Sequence, residues 1–247
     1  MTEIADLTGP ADILTTALAE DGYVCLSADT VLAHLGPMAR QAWREFALSW
    51  DALGPDLYMA DGGRYRRRRH AALGVSGDAI SPKPRQPHFQ SRDYNALNGD
   101  VQRWFEPVLP ETLANPVLQA ILAAWTPVIS AAGGHPADQA WHVELHQFRI
   151  ETSPAETGRP TPEGLHRDGV DWVFVMLVDR RNVSDGVTEI GDEEGRRIGE
   201  FTLATPGDGV LLDDHRIRHG VTPIRPIDPG EPAWRDALVV TWLAEIA

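Results

Sequence analysis

The sequence predicts a mainly β fold with helical support, α+β in class, whose core is a sandwich or barrel. Three observations carry this reading. Apolar residues recur at the helical period of about 3.6 almost wholly within the first 135 residues. From Trp141 onward the apolar runs shorten to strand length and fill with Val, Phe, Leu and Trp, residue types that suit a pleated, buried surface. Gly, Pro and Asp cluster between those runs, as they do at the turns of antiparallel sheets. No internal repeat and no low-complexity linker interrupts the 247 residues, so one domain is expected, with a helical layer over about 1–135 and a β core over about 136–247.

Taken in order, ADILTTALAEDGY reads as a helix that runs into the short apolar strand YVCL, and a periodic stretch from about Asp29 to Leu53 reads as a second helix. NPVLQAILAAW predicts a third, with Asn115 as its cap and Pro116 at the first helical position. Pro127 is expected to end it, because proline lacks the backbone donor and crowds the preceding turn. GGHPADQ reads as a turn and lacks the Gly-Lys-Ser/Thr ending of a phosphate-binding loop. The β core is then WHVELHQFRI, DWVFVMLV, EFTLATPGDGVLLDD and DALVVTWLAEI, with GVLLDDHRIRH read as one strand that ends on His219.

Composition narrows the function classes. Hydrophobic residues at 43% and charged residues at 23% fit an ordinary globular chain. Thirty-six acidic against 22 basic residues leave a formal charge of −14, which disfavours nucleic acid and anionic membranes and makes a small molecule the expected partner. Oligomeric state is not legible. Cys25 is the single cysteine, so no intramolecular disulfide or Cys-rich metal site can form, and without a G-x-S-x-G elbow or a base beside Cys25 nucleophilic catalysis is not indicated. An N-terminus that is acidic rather than basic, and a longest apolar run of only Trp172 to Val178, make cytoplasm the expected location.

The stretch GLHRDGVDWVFVMLV sets His166 and Asp168 two residues apart at the mouth of the most apolar run, where strand alternation points both side chains the same way. A third ligand could come from His146, His215 or His219. His219 is favoured because it ends a strand-like run at a rim, whereas Asp213, Asp214 and Arg216 around His215 suggest a solvated turn. Two histidines and one carboxylate without a thiolate match the facial triad that holds non-haem Fe(II), although zinc enzymes use the same ligand types. Arg235 opens the last apolar strand and offers a planar fork for a carboxylate.

These residues resemble a known family. HQFRI, PEGLHRDGVDWVFVMLVDRRNV, LLDDHRIRHGVTPI and RDALVVTW follow, in order, the motifs of the Fe(II)/2-oxoglutarate-dependent dioxygenases, in the bacterial free amino acid hydroxylase branch that is L-isoleucine dioxygenase-like; YNALNGDVQRWFEP resembles the region upstream. The resemblance implies a double-stranded β-helix, the cupin-like jelly roll of two facing sheets. It implies His166, Asp168 and His219 as catalytic iron ligands and Arg235 as the anchor for the distal carboxylate of 2-oxoglutarate. The implied reaction consumes O2 and 2-oxoglutarate, releases succinate and CO2, and hydroxylates a C–H bond of a free L-amino acid, with ascorbate helpful in vitro. A jelly-roll enzyme with zinc or manganese in the same triad, or a non-catalytic binding module, is the alternative. Where the family pattern has a Gly-Gly pair and then a Tyr, this chain has Ser184-Asp185-Gly186-Val187 and Ile190-Gly191, which puts the substrate in question.

Two further stretches carry expectations. In WHVELHQFRI, His142, Glu144 and His146 share one strand face, read as polar or outward rather than as a second metal site, because three positions of a straight strand spread over about 13 Å at ~3.3 Å per residue. Trp141, Val143 and Leu145 on the other face are expected to point inward, and to bring Gln147 and Arg149 with them; these two and Trp172 are the candidate substrate-binding residues. The five arginines among residues 64–69 are expected to pair with acids, or to turn alternate members toward the site, rather than to bind nucleic acid.

Overall fold

The computed structural model describes residues 11–246 apart from Ala96 and Asn98; the acidic N-terminal stretch before residue 11, and those two positions of YNALNGDVQRWFEP, lie outside the described residues. Helix α1 (Ala11–Asp21) leads through β1 (Tyr23–Leu26) into α2 (Ala28–Leu48). Ser27 starts α2 by accepting a hydrogen bond from the Thr30 amide. The stretch read as one helix is broken at Gly36, whose φ of 78° leaves the helical region, and Pro37 restarts it; the chain then tightens into a 3-10 turn at Ser49–Ala52. After β2 (Arg66–Ser76), β3 (Ala79–Pro82) and the single turn α3 (Pro110–Leu113) comes α4 (Pro116–Ala132), capped by Asn115 as expected.

Pro127 does not end α4, which continues to Ala132. An interior proline costs about 3 kcal/mol, but Val128 and Ile129 beyond it are buried in the main core. Burying two such side chains returns about 1.5–3 kcal/mol each, which favours continuing the helix.

The remaining strands are β4 (Ala140–Thr152), β5 (Trp172–Arg181), β6 (Val183–Asp185), β7 (Thr188–Gly191), β8 (Arg197–Phe201), β9 (Gly209–Asp213), β10 (Arg218–Val221), β11 (Ile224–Pro226) and β12 (Ala233–Ala244). Among the described residues they form a seven-stranded sheet in the order β1-β9-β5-β12-β4-β2-β3, with a three-stranded sheet β10-β7-β8 and a pair β11-β6. Every pairing is antiparallel. This is the jelly roll, with one departure from the expected division of the chain. The first half is not only a helical layer, because β1, β2 and β3 complete the large sheet around strands of the second half.

The helices cover one face of the large sheet. There Trp125, Trp141, Trp242, Phe46 and Phe174 are fully buried in one cluster with α1, α2 and α4. The opposite face looks toward the smaller sheets, where Val173, Val175, Ile190 and Leu212 form a second cluster. A central strand such as β4 is therefore buried on both faces, with Trp141, Val143 and Leu145 against the helices. Cys25 on β1 is inert by environment, since burial pushes its thiol up to about 12. Among the described residues no helix is long and apolar enough to cross a membrane.

Candidate active site

GVLLDDHRIRH is two strands rather than one: β9 stops at Asp213, a turn follows, and β10 carries His219 into the smaller sheet. That break lets β10 run beside the segment before β5. His166 and His219 are direct partners, each donating its backbone N–H to the other's carbonyl at 3.0 and 2.9 Å, and their rings lie 4.6 Å apart. Asp168 points between them, with Oδ1 3.7 Å from His166 Nε2 and Oδ2 3.7 Å from His219 Nε2. One ligand atom from each of the three lies within 4.8 Å of the others.

The donor set fits a divalent ion. The Nδ1–H of His166 donates to the Gly164 carbonyl at 3.0 Å, which leaves Nε2 facing Asp168 with its lone pair for a metal. Burial alone would lower the pKa of His166, but hydrogen bonding to Asp168 and the charges of Asp168 and Glu163 carry it up to about 9. His166 must therefore lose a proton before it can serve as a ligand. Burial and the charge of His166 push His219 down to about 4. For Asp168, burial acts upward, and the bond to His166 with the charges of both histidines outweighs it, so the carboxylate stays ionised.

Asp214 builds the turn that holds Asp168, a role the sequence reading missed when it took this residue for part of a solvated turn. Its side chain is buried, and its two oxygens accept the backbone N–H groups of Asp168, Gly169 and Val170 at 2.9, 2.7 and 3.1 Å. Burial, and then the nearby Asp168, raise its pKa to about 6. Gln90 supports the same turn from the other side, donating to the Asp168 carbonyl and to Oδ1, both at 3.1 Å, and Arg103 fixes the Gln90 amide at 2.9 Å. His215 does lie in an exposed turn, 2.7 Å from Asp171.

The triad opens on a cavity of about 280 Å³ between the sheets, near the lower end of the ~300–1,000 Å³ usual for small-molecule sites. Arg235 lines it from β12 and is 2% exposed, yet its Nε and Nη2 have no hydrogen-bond partner among the described residues. Burial and the charge of Arg180 lower its pKa to about 10, so it remains a cation at neutral pH, and two unused donors on one side of a buried guanidinium call for a carboxylate. The 2OG-Fe dioxygenase family model matches residues 47–241, which span all of these positions.

The chain belongs to that family. It is 26% identical to the L-isoleucine-4-hydroxylase of Bacillus thuringiensis over 155 residues, 63% of this chain and 64% of that enzyme, which is just under two thirds of its length. A bsmA homologue from Methylobium petroleophilum PM1 superposes with a TM-score of 0.87 at 35% identity, covering 96% of this chain and 94% of that one. The structure of IDO from Bacillus thuringiensis superposes at a TM-score of 0.81 with 19% identity over 96% and 100% of the two chains, a likeness of fold.

In this chain the expected substrate residues are not at the cavity. Gln147 donates to Ser49 at 2.9 Å, Arg149 is bound by Asp236 and Asp51, and Trp172 is packed in the main core, all on the helical side of the large sheet. The reason is the two-sided burial of β4, which puts His142, Glu144, His146, Phe148 and Ile150 on the cavity instead. Arg149→Met is accordingly expected to act on stability rather than on substrate. It strands the buried Asp236 without its partner at 2.7–2.8 Å, at a cost of about 3–5 kcal/mol. A lowered denaturation midpoint with unchanged KM is the expected result; a raised KM at full stability would refute this placement.

The arginine run does both things expected of it. Arg67 and Arg69 face away and meet Glu151 and Glu106, while Arg66 and Arg68 line the cavity. The departure from the family pattern lies at Asp185 and Gly186, both left-handed at φ 59° and 71°. A Cβ on Gly186 would lie 2.9 Å from Ile224 and 3.7 Å from Arg235, so that turn abuts the Arg235 end of the cavity.

Proposed function

We propose that this protein is an Fe(II)/2-oxoglutarate-dependent dioxygenase that hydroxylates a C–H bond of a free L-amino acid. The observation that carries the reading is a two-histidine, one-aspartate cluster and an unpaired buried guanidinium lining one cavity of metabolite size. His166, Asp168 and His219 hold the metal, and Arg235 takes the distal carboxylate of 2-oxoglutarate. When bound, these two supply the oxidising chemistry, with 2-oxoglutarate and O2 converted to succinate and CO2 and one oxygen atom delivered to the substrate. The protein's own part is placement. Asp214 and Gln90 hold Asp168 in position, the Gly164 carbonyl sets the His166 tautomer, and Val175, Val221 and Val239 line the cavity and keep water from the reacting carbon. The free amino acid as substrate draws support from the named activity of the Bacillus thuringiensis hydroxylase. Aerobic incubation with Fe(II), ascorbate, 2-oxoglutarate and each L-amino acid in turn tests it, following succinate and a product heavier by one oxygen. Succinate coupled to one oxygenated amino acid is expected; uncoupled succinate across the whole panel would remove the substrate class and keep the family chemistry.

A further inference from the structure

A second group of ionisable side chains, His70, His88, Glu144 and His146, has ligand atoms within 4.8 Å of one another, and all but His70 line the same cavity as the triad. Its hydrogen bonds argue against a second metal. Arg68 can only donate, and its Nη2 lies 2.6 Å from His146 Nδ1, so that nitrogen is the acceptor and the proton of the neutral ring sits on Nε2, facing Glu144 at 3.4 Å. His88 Nδ1 donates to Glu144 at 2.5 Å. The ring nitrogens nearest Glu144 on these two residues are thus hydrogen-bond donors rather than metal ligands. What remains is a cation and an anion, Arg68 and Glu144, joined through one neutral imidazole.

The arginine end of this pair is unfinished. Arg68 is 3% exposed and lies between Phe105 and Phe148, whose ring centroids are 3.7 and 4.4 Å from its Cζ, so its free donors lie at the guanidinium edge. Its Nε and the Nη2 of Arg66, two residues along the same face of β2, have no hydrogen-bond partner among the described residues. One carboxylate, Asp56, stands between the two arginines, 2.7 Å from Arg66 and 3.9 Å from Arg68. Burial and the charge of Arg66 hold Arg68 well below its usual pKa, against the opposing charge of Asp56. At the other end, Glu144 is crowded by histidines at Oε2 and has Oε1 3.5 Å from His142, on a cavity-lining side chain.

From this we infer a zwitterion-binding wall, with Arg68 and Arg66 receiving the α-carboxylate of a free amino acid and Glu144 its α-ammonium. The inference rests on the proposed function and deepens it. A zwitterion presents opposite charges a short distance apart, and the wall presents their complements one imidazole apart. With the polar end held on β2 and β4, the side chain shares one cavity with His166, Asp168 and His219. The sequence reading had sought this role in Arg149; Arg68 lies diagonally across the β2–β4 register from it, on the other face of the sheet.

The test is equilibrium binding under anaerobic conditions to protein loaded with Fe(II) and 2-oxoglutarate. Probes are the twenty L-amino acids, then, for the best binder, its decarboxylated amine and its des-amino acid. Arg68→Met is expected to weaken the amino acid by about 10- to 100-fold, the range of a charged hydrogen bond, and to leave the amine nearly unchanged. Glu144→Gln is expected to do the converse, weakening the amino acid and sparing the des-amino acid. Iron and 2-oxoglutarate affinities serve as folding controls, and if Arg68→Met fails them, Arg68→Lys, which keeps the charge and loses the fork, takes its place. If the amino acid binds and the variants weaken all three probes equally, the wall is refuted while the proposed function stands. If no amino acid binds the loaded wild-type protein, both are refuted together.

Discussion

Asp168→Ala is expected to empty the iron site and lower turnover by more than about 100-fold, a loss that removal of even an outer-shell partner can reach. The expectation follows from charge. Asp168 is the anionic member of the triad, and its two oxygens stand at 3.7 Å from His166 Nε2 and His219 Nε2, so its loss leaves two neutral imidazoles to hold a divalent ion. The fold should survive. The turn is held through the Asp168 backbone, whose N–H goes to Asp214 and whose carbonyl accepts from Gln90, and alanine keeps both bonds. Iron measured by elemental analysis after desalting should fall from near one equivalent to near zero, with the thermal midpoint in chelator little changed. Full iron retention would mean that the ion is held elsewhere in the cavity.

How far the sequence could be read depends on where each residue's partners lie. His166, Asp168, His219 and Arg235 meet at one cavity, as their spacing and strand-end positions led the sequence reading to expect, whereas the equally charged Arg149 is held by partners within the fold. The helical layer and the β-rich second half were legible from periodicity. The cavity face of β4 was not. Alternation divides a strand into two faces but names neither, and here Trp141, Val143 and Leu145 pack on helices while His142, Glu144 and His146 face the facing sheet. Choosing the apolar face as the inner one sent Gln147 and Arg149 to the wrong side. Asp214 was missed because its partners are backbone N–H groups some 45 residues away, and backbone amides leave no trace in composition. Pro127 misled because local propensity was outweighed by the burial of Val128 and Ile129.

Arg235→Met is expected to raise the KM for 2-oxoglutarate by about 10- to 100-fold, the worth of a charged, two-donor contact to a carboxylate, with iron content unchanged. Its effect on stability should be opposite in sign to that of Arg149→Met, although both remove a guanidinium from the β4–β12 region, one buried and one half-buried. Arg149 is held by Asp236 at 2.7–2.8 Å, and removing it orphans a carboxylate that is 1% exposed. Arg235 has Nε and Nη2 unpaired among the described residues, and the positive charge of Arg180 acts on it. Taking away a buried cation that lacks its anion removes a desolvation penalty and leaves none behind, so the cosubstrate-free variant should melt at or above the wild-type temperature. Addition of 2-oxoglutarate should reverse the order, because a ligand stabilises the folded state in proportion to its affinity and the wild-type protein binds it more tightly. Melting curves of both proteins with Fe(II), with and without 2-oxoglutarate, measure this directly. Equal shifts on addition of 2-oxoglutarate would place its distal carboxylate on another cation of the cavity, and a large destabilisation of the cosubstrate-free variant would mean that Arg235 has a partner within the fold.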